Sequence, residues 1–243
     1  MAYSLYERIL GALIGAAAGD GMGAATEGRS TEQIIAHFGH AVNDFETPPQ
    51  DTFGAGNVPG QATDDFSSAW FLAQSIVENN GLVDQEAFKR ALVEWSHHSV
   101  FFDRFAGPTT RFAIKRFEGE EIPQSGGVKL LSRQATNGAA MRVSPLGMFN
   151  PGLLERTVED TLTVTMLTHD NALAISGACA VSCAVSRALL PGADLYVVLQ
   201  AALWGARRGE QRGRQVAHDV AGPTVTARLE KAIAIGLGQG SPQ

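Results

Sequence analysis

Thr63, Asp64 and Asp65 place a hydroxyl and two adjacent carboxylates where a Gly/Pro-rich loop ends and an amphipathic segment begins. Three hard oxygen donors cost little to hold at the positive end of a helix, because free backbone N–H groups and the macrodipole favour negative charge there. The same oxygens suit Mg²⁺, Mn²⁺ or Ca²⁺. The competing reading is ordinary capping, with Thr63 as the N-cap and acids in the first turn. Four further polar segments could share a cleft with them: Gly19 to Gly23 running on to Glu27, Phe105 to Thr110 with Gly107 and Thr109, Asn137 to Arg142, and Thr168-His169-Asp170. The glycines at 19 to 23 follow a helical segment rather than a strand and lack dinucleotide spacing, so they read as tight turning and close backbone approach. His169 alone reads as a hydrogen-bonded helix-end residue, and the pair His97-His98 lacks ligand spacing and reads as surface.

The elements that must carry these residues are helical. Apolar periodicity follows 3.6 residues nearly everywhere, and alternating β-branched runs are almost absent, which predicts an all-α fold. Leu10, Leu13, Ile14 and Ala17 make one stripe, and Gly11, Gly15 and Gly19 another that would admit a neighbouring helix closely. Phe66, Trp70, Ala73 and Val77 are expected to form the buried face after the acidic pair, and Phe88, Leu92 and Trp95 that of the next helix. Pro108 can open another, followed by Phe112, Ala113 and Phe117. Two more are expected between Glu155 and Leu190, joined around 168–171. The second is rich in small residues on all sides and is placed centrally. Loops are expected at 47–62, 118–129, 134–151 and 191–192.

Composition narrows the function classes. The chain has 243 residues, 44% of them hydrophobic and 18% charged, with a formal charge of −6. That describes a globular protein, read here as one domain, with no general attraction to nucleic acid or anionic lipid. The Arg-rich stretch 207–214 reads as a solvated helix end. No segment approaches the roughly 18–20 apolar residues that span a bilayer. The apolar run 9–18 fits a closely packed internal helix better than a cleaved leader. Cys179 and Cys183, spaced i,i+4, face one packing partner and suit a reducing cytoplasm. Nothing in the sequence specifies an oligomeric state.

Arg8 to Gly23 with Glu27, then Thr63-Asp64-Asp65, then Asn137-Gly138-Ala139-Ala140-Met141-Arg142-Val143-Ser144-Pro145-Leu146-Gly147, then Thr168-His169, resembles the ADP-ribosylglycohydrolase family in order and spacing. The resemblance implies a compact multi-helix orthogonal bundle with a dinuclear Mg²⁺ or Mn²⁺ centre. It also implies cleavage of the glycosidic bond at C1″ of an ADP-ribosyl group on a protein side chain or a related ribosyl compound. By the same resemblance, Thr63, Asp64 and Asp65 are metal ligands, with Asp65 bridging, and Glu27 orients water or the scissile bond. Asn137, Gly138, Met141 and Arg142 line the ribose and phosphate side, with His169 near them and Gly107 and Thr109 in a subgroup feature.

The family's remaining ligands come from a Gly-x-Asp-x-Asp-Thr motif, and residues 205–243 carry only Asp219, in a different context. The sequence therefore holds half of a dinuclear site. Truncation, loss of function or completion by another segment would each account for it, and truncation is the expectation here, since the tail 231–237 has an apolar helical face in need of a partner. Phe66 replaces the Thr common after the acidic pair, and no proline follows His169. Arg-linked, Ser-linked and small-nucleoside substrates thus stand on nearly equal footing, so the alternatives are a nucleoside or ribosyl N-glycosidase and a non-catalytic ADP-ribose binder.

Overall fold

The computed structural model describes residues 3–120 and 134–238 and shows eleven α-helices and no named strand among them. Most of the loop expected at 118–129 lies outside the described residues. The helices are α1 (Leu5–Gly23), α2 (Thr31–Phe38), α3 (Asp64–Glu78), α4 (Gln85–Ser96), α5 (Ser99–Phe105), α6 (Pro108–Phe117), α7 (Ser144–Phe149), α8 (Leu154–Thr165), α9 (Ala172–Ala188), α10 (Leu195–Val216) and α11 (Val225–Gly238). The all-α expectation is met.

Local chemistry explains where they begin. Ser4 with Glu7 and Ser30 with Gln33 are reciprocal capping boxes opening α1 and α2. Asp84, Asn171 and Asp194 cap α4, α9 and α10 through side-chain oxygens, and Pro108 sits in the first turn of α6 as expected. Helix α9 is central as read, packing against α7, α8, α10 and α11. One buried cluster joins α3, α4, α6 and α7 through Leu72, Ile76, Phe88, Leu92, Trp95, Ile114 and Leu146, and a second joins α8 and α9 through Val158, Leu162, Ile175, Cys179 and Cys183. Both cysteines are free and buried. Burial pushes the Cys183 thiol up to about 12, so these are packing side chains.

Three expectations are corrected. The buried face of α3 is Ser68, Ala69, Leu72, Ser75 and Ile76, while Trp70 and Val77 lie exposed. The serines are easily buried because they bond within the helix, Ser75 Oγ donating to the Leu72 carbonyl at 2.8 Å and Ser67 Oγ to the Thr63 carbonyl at 2.6 Å. Residues 134–151 are not all loop: they contain a 3₁₀ turn, Ala140–Arg142, and α7, whose Pro145 to Met148 are buried. A helix of six residues is too short to display a period.

Helix α1 is not internal; Gly21 is its one buried residue. A Cβ at Gly11, Gly15 or Gly19 would meet nothing within 4 Å among the described residues. The close glycine stripe is instead on α10. Cβ atoms at Gly205, Gly209 and Gly213 would fall 2.4 Å from the Cys179 carbonyl, 2.7 Å from Cys179 Cβ and 2.8 Å from Ala172 Cα. The arginines at 207, 208 and 212, on the last turns of that helix, are partly exposed and pair with Glu230, Glu155 and Glu159, so the stretch is the solvated helix end expected, with its charges paired. Helix α11 has no buried residue.

Candidate active site

The acidic pair is positioned by a residue the sequence reading passed over. Asp20, in the last turn of α1, accepts the Thr63 hydroxyl at 2.6 Å through Oδ1, and the backbone N–H groups of Thr63 and Phe66 at 2.8 and 3.1 Å through Oδ2. It does the work expected of an acid at a helix N-terminus, and so leaves Asp64 and Asp65 out of the capping role. Thr63 is the N-cap, accepting weakly from the Asp65 N–H at 3.4 Å, and is itself buried. The segment 19–23 is accordingly the end of α1 rather than a loop. Gly21 is required there, because a Cβ would stand 2.8 Å from the Gly60 carbonyl oxygen. At the far side, Ser67 Oγ accepts the Trp95 indole N–H at 3.0 Å and ties α3 to α4.

The described chain folds these pieces around a cleft of about 340 Å³, lined by Glu27, Phe53, Asp64, Asp65, Arg104, Gly107, Thr109, Asn137, Gly138, Met141 and His169 among others. It therefore brings together nine of the residues singled out in the sequence and leaves two outside the lining, Thr63 and Arg142. Arg142 lies beneath the cleft, 1% exposed, with Nη2 donating to Thr110 Oγ1 at 2.9 Å and with Nε and Nη1 lacking a described protein partner. Burial pulls its guanidinium down to about 10, so it stays charged at neutral pH. A larger cavity of about 950 Å³ lies elsewhere, between α3 and α4, away from the two carboxylates.

Charge is concentrated in the cleft. Burial first, then the neighbouring Asp65 carboxylate, raises Asp64 to about 7, and burial with the charges of Asp20 and Glu27 raises Asp65 to about 6; Arg142 opposes both shifts. His169 behaves differently. It is fully buried, with Thr168 Oγ1 2.8 Å from Nδ1 and Thr136 Oγ1 2.8 Å from Nε2. Burial and the Arg142 charge push it down to about 3, so one nitrogen donates, the other accepts, and neither carries charge. Gly138 lies against this ring, where a Cβ would come 3.0 Å from Cε1, and Asn171 Nδ2 donates to the Gln134 carbonyl at 3.2 Å. The imidazole thus anchors the 134–138 segment. His97 and His98, by contrast, are exposed beside Glu94.

The donor set can be tested against a metal. Among the described residues no three His, Cys, Asp or Glu side chains converge as a metal cluster requires. The residues therefore do not fit a two-ion centre. Two carboxylates raised chiefly by burial, with neighbouring acids adding to it, do suit one hard cation, since Mg²⁺ is commonly held by one or two carboxylates with water completing its shell. No helix among the described residues is long and apolar enough to cross a membrane.

The chain is 33% identical over 186 residues to an uncharacterized protein, YegU, of Escherichia coli K12, covering 75% of this chain and 54% of that one. It is 33% identical over 192 residues to an uncharacterized protein of Archaeoglobus fulgidus, covering 77% and 58%. It is 30% identical over 172 residues to the ADP-ribosylarginine hydrolase Tri1 of Serratia proteamaculans, covering 67% and 42%. The chain spans about half the length of the curated relatives it matches. With its residues 1–241 matched by the sequence profile of the ADP-ribosylglycohydrolases, the chain belongs to the ADP-ribosylglycohydrolase family.

Proposed function

We propose that the cleft hydrolyses the glycosidic bond of an ADP-ribosyl group on a protein side chain, or of a related ribosyl compound, with Mg²⁺ or Mn²⁺ as cofactor. The observation that carries this reading is the convergence of Glu27, Asp64 and Asp65 with Asn137, Gly138 and His169 around one cavity. Held by Asp64 and Asp65, a divalent ion supplies positive charge that polarises vicinal ribose hydroxyls. The remaining work falls to the chain itself. Glu27, on the turn that follows α1, takes the proton of the attacking water. Asn137 and Gly138, fixed through Thr136 and the neutral His169, hold the ribose side. The water oxygen bonds to C1″ as the C1″–N or C1″–O bond breaks, and the acceptor leaves with the proton that Glu27 took from the water. Arg142 limits the repulsion among the carboxylates from below.

An arginine acceptor is the favoured substrate, by the likeness to the ADP-ribosylarginine hydrolase Tri1 of Serratia proteamaculans, and a soluble cytoplasmic setting is the natural one for it. With only Asp64 and Asp65 as paired carboxylate donors among the described residues, a second reading is an ADP-ribose-binding homologue with impaired turnover. Incubation with ADP-ribosyl-arginine and with free nucleosides, in excess Mn²⁺, separates these. Released ADP-ribose supports the first reading, and released ribose the small-molecule glycosidase. Thermal stabilisation by ADP-ribose without any turnover supports the binder.

A further inference from the structure

The cleft does not end at Glu27. A second cavity of about 560 Å³, the size of a small-ligand site, adjoins it and shares two of its walls, Glu27 and Phe53. Among the described residues, Arg29, Gln50 and Asp51 line the second cavity only, and Asn137, Gly138 and His169 the first only. The loop that carries Asp51 and Phe53 is pinned on both sides. A Cβ at Gly54 would stand 2.7 Å from the Ala24 carbonyl oxygen, just past α1, and Arg104 of α5 donates to the Ala55 carbonyl and to Asn57 Oδ1. Thr52 Oγ1 tightens the same loop by donating to the Pro49 carbonyl at 2.7 Å. Anchored in this way, Phe53 is nevertheless 70% exposed and the Asp51 side chain 77% exposed.

Resting on the proposed hydrolysis, we infer that this second cavity is the acceptor subsite of the cleft and takes a cationic guanidinium side chain, the leaving half of an arginine-linked substrate. With the ribose beside Asn137 and Gly138 and the bond to be cut beside Glu27, the leaving group lies across Glu27 from the ribose. The space there is the cavity of Arg29, Asp51 and Phe53. Its chemistry suits a planar cation. A guanidinium stacks on an aromatic face and gives N–H bonds to a carboxylate. Phe53 offers the face, and Asp51 the carboxylate, held at Oδ1 by Arg29 Nη2 and still open to solvent. Glu27 adds a second carboxylate against the single guanidinium of Arg29, so the lining carries surplus negative charge. A pyrophosphate would be repelled by that surplus, and a neutral serine acceptor would gain nothing from it.

Calorimetric titration of the full chain with ADP-ribosyl-arginine and with ADP-ribose, without added metal so that neither is consumed, reads the subsite as a ratio of two affinities. ADP-ribosyl-arginine is expected to bind at least about tenfold tighter, the joint effect of one stacked and one exposed ionic contact. Asp51→Asn and Phe53→Ala, both at exposed positions, are each expected to lower that ratio about threefold. A ratio near one, or a ratio that both substitutions leave unchanged, overturns the acceptor subsite while ADP-ribose binding still upholds the cleft. ADP-ribosyl-serine that binds as tightly as ADP-ribosyl-arginine overturns the choice of a cation. Binding of none of these ligands up to about 1 mM overturns the cleft reading and the subsite together.

Discussion

Helices α1 and α10 carry the same device and use it in opposite ways. Each has three glycines at four-residue spacing, yet those of α10 lie against the backbone and side chains of α9, while those of α1 lie against nothing described. The α9–α10 side is closed on itself, with its cysteines buried and its arginines paired on the outside. The α1–α3 side keeps exposed apolar surface, and at the base of α3 two carboxylates stand above their usual range. A glycine stripe thus reports a capacity for close approach, and only its surroundings say whether the capacity is used.

The largest effect expected from breaking this contrast is steric. Gly209→Leu drives a side chain into Cys179 and the Ile175 carbonyl, where a Cβ alone already falls within 2.7 and 3.1 Å. A cost above about 3 kcal/mol in urea denaturation is expected, against a change within about 1 kcal/mol for Gly15→Leu. Equal costs would erase the distinction.

Next comes charge. The folded pKa values of Asp64 and Asp65, about 7 and about 6, lie above the unfolded value of 3.8. Their contribution to stability is therefore fully present below about pH 4 and is lost as pH rises towards 7. Asp64→Asn is expected to raise metal-free stability at pH 8 by roughly 1–3 kcal/mol, and Mn²⁺ should stabilise the wild type more than this variant. A thermal-shift series in chelator and in Mn²⁺ reads both signs.

His169 shifts the other way. Its folded value, about 3, lies below the unfolded 6.5, so its contribution is present above about 6.5 and fades as pH falls towards 3. Its imidazole signals should not titrate between about pH 5 and 8 in an NMR series. The smallest effect belongs to the closed side. Arg212→Gln removes a forked contact with Glu159, at 2.7 and 3.0 Å, from an exposed setting and should cost no more than about 1 kcal/mol.

Much of this architecture was legible in the sequence. The helical period located α4, α6, α8 and α9, and residues 27, 64–65, 107–109, 137–138, 141 and 169 do converge on one cavity. What escaped had physical reasons. On α3, two apolar stripes of equal period compete, and the one chosen by α4 includes serines that their own helix satisfies. On α10, four arginines drew attention to charge and hid the glycines behind them. Asp20 looked like a turn residue because its partners, the N–H groups of Thr63 and Phe66, lie more than forty positions away.

That aspartate gives α1 a mechanical part in the cleft. The helix is a rod of nineteen residues, about 28 Å from end to end, whose tip grips the amides from which α3 begins. Sliding it by the length of one hydrogen bond would carry Thr63 along and re-aim the carboxylates of the next two residues.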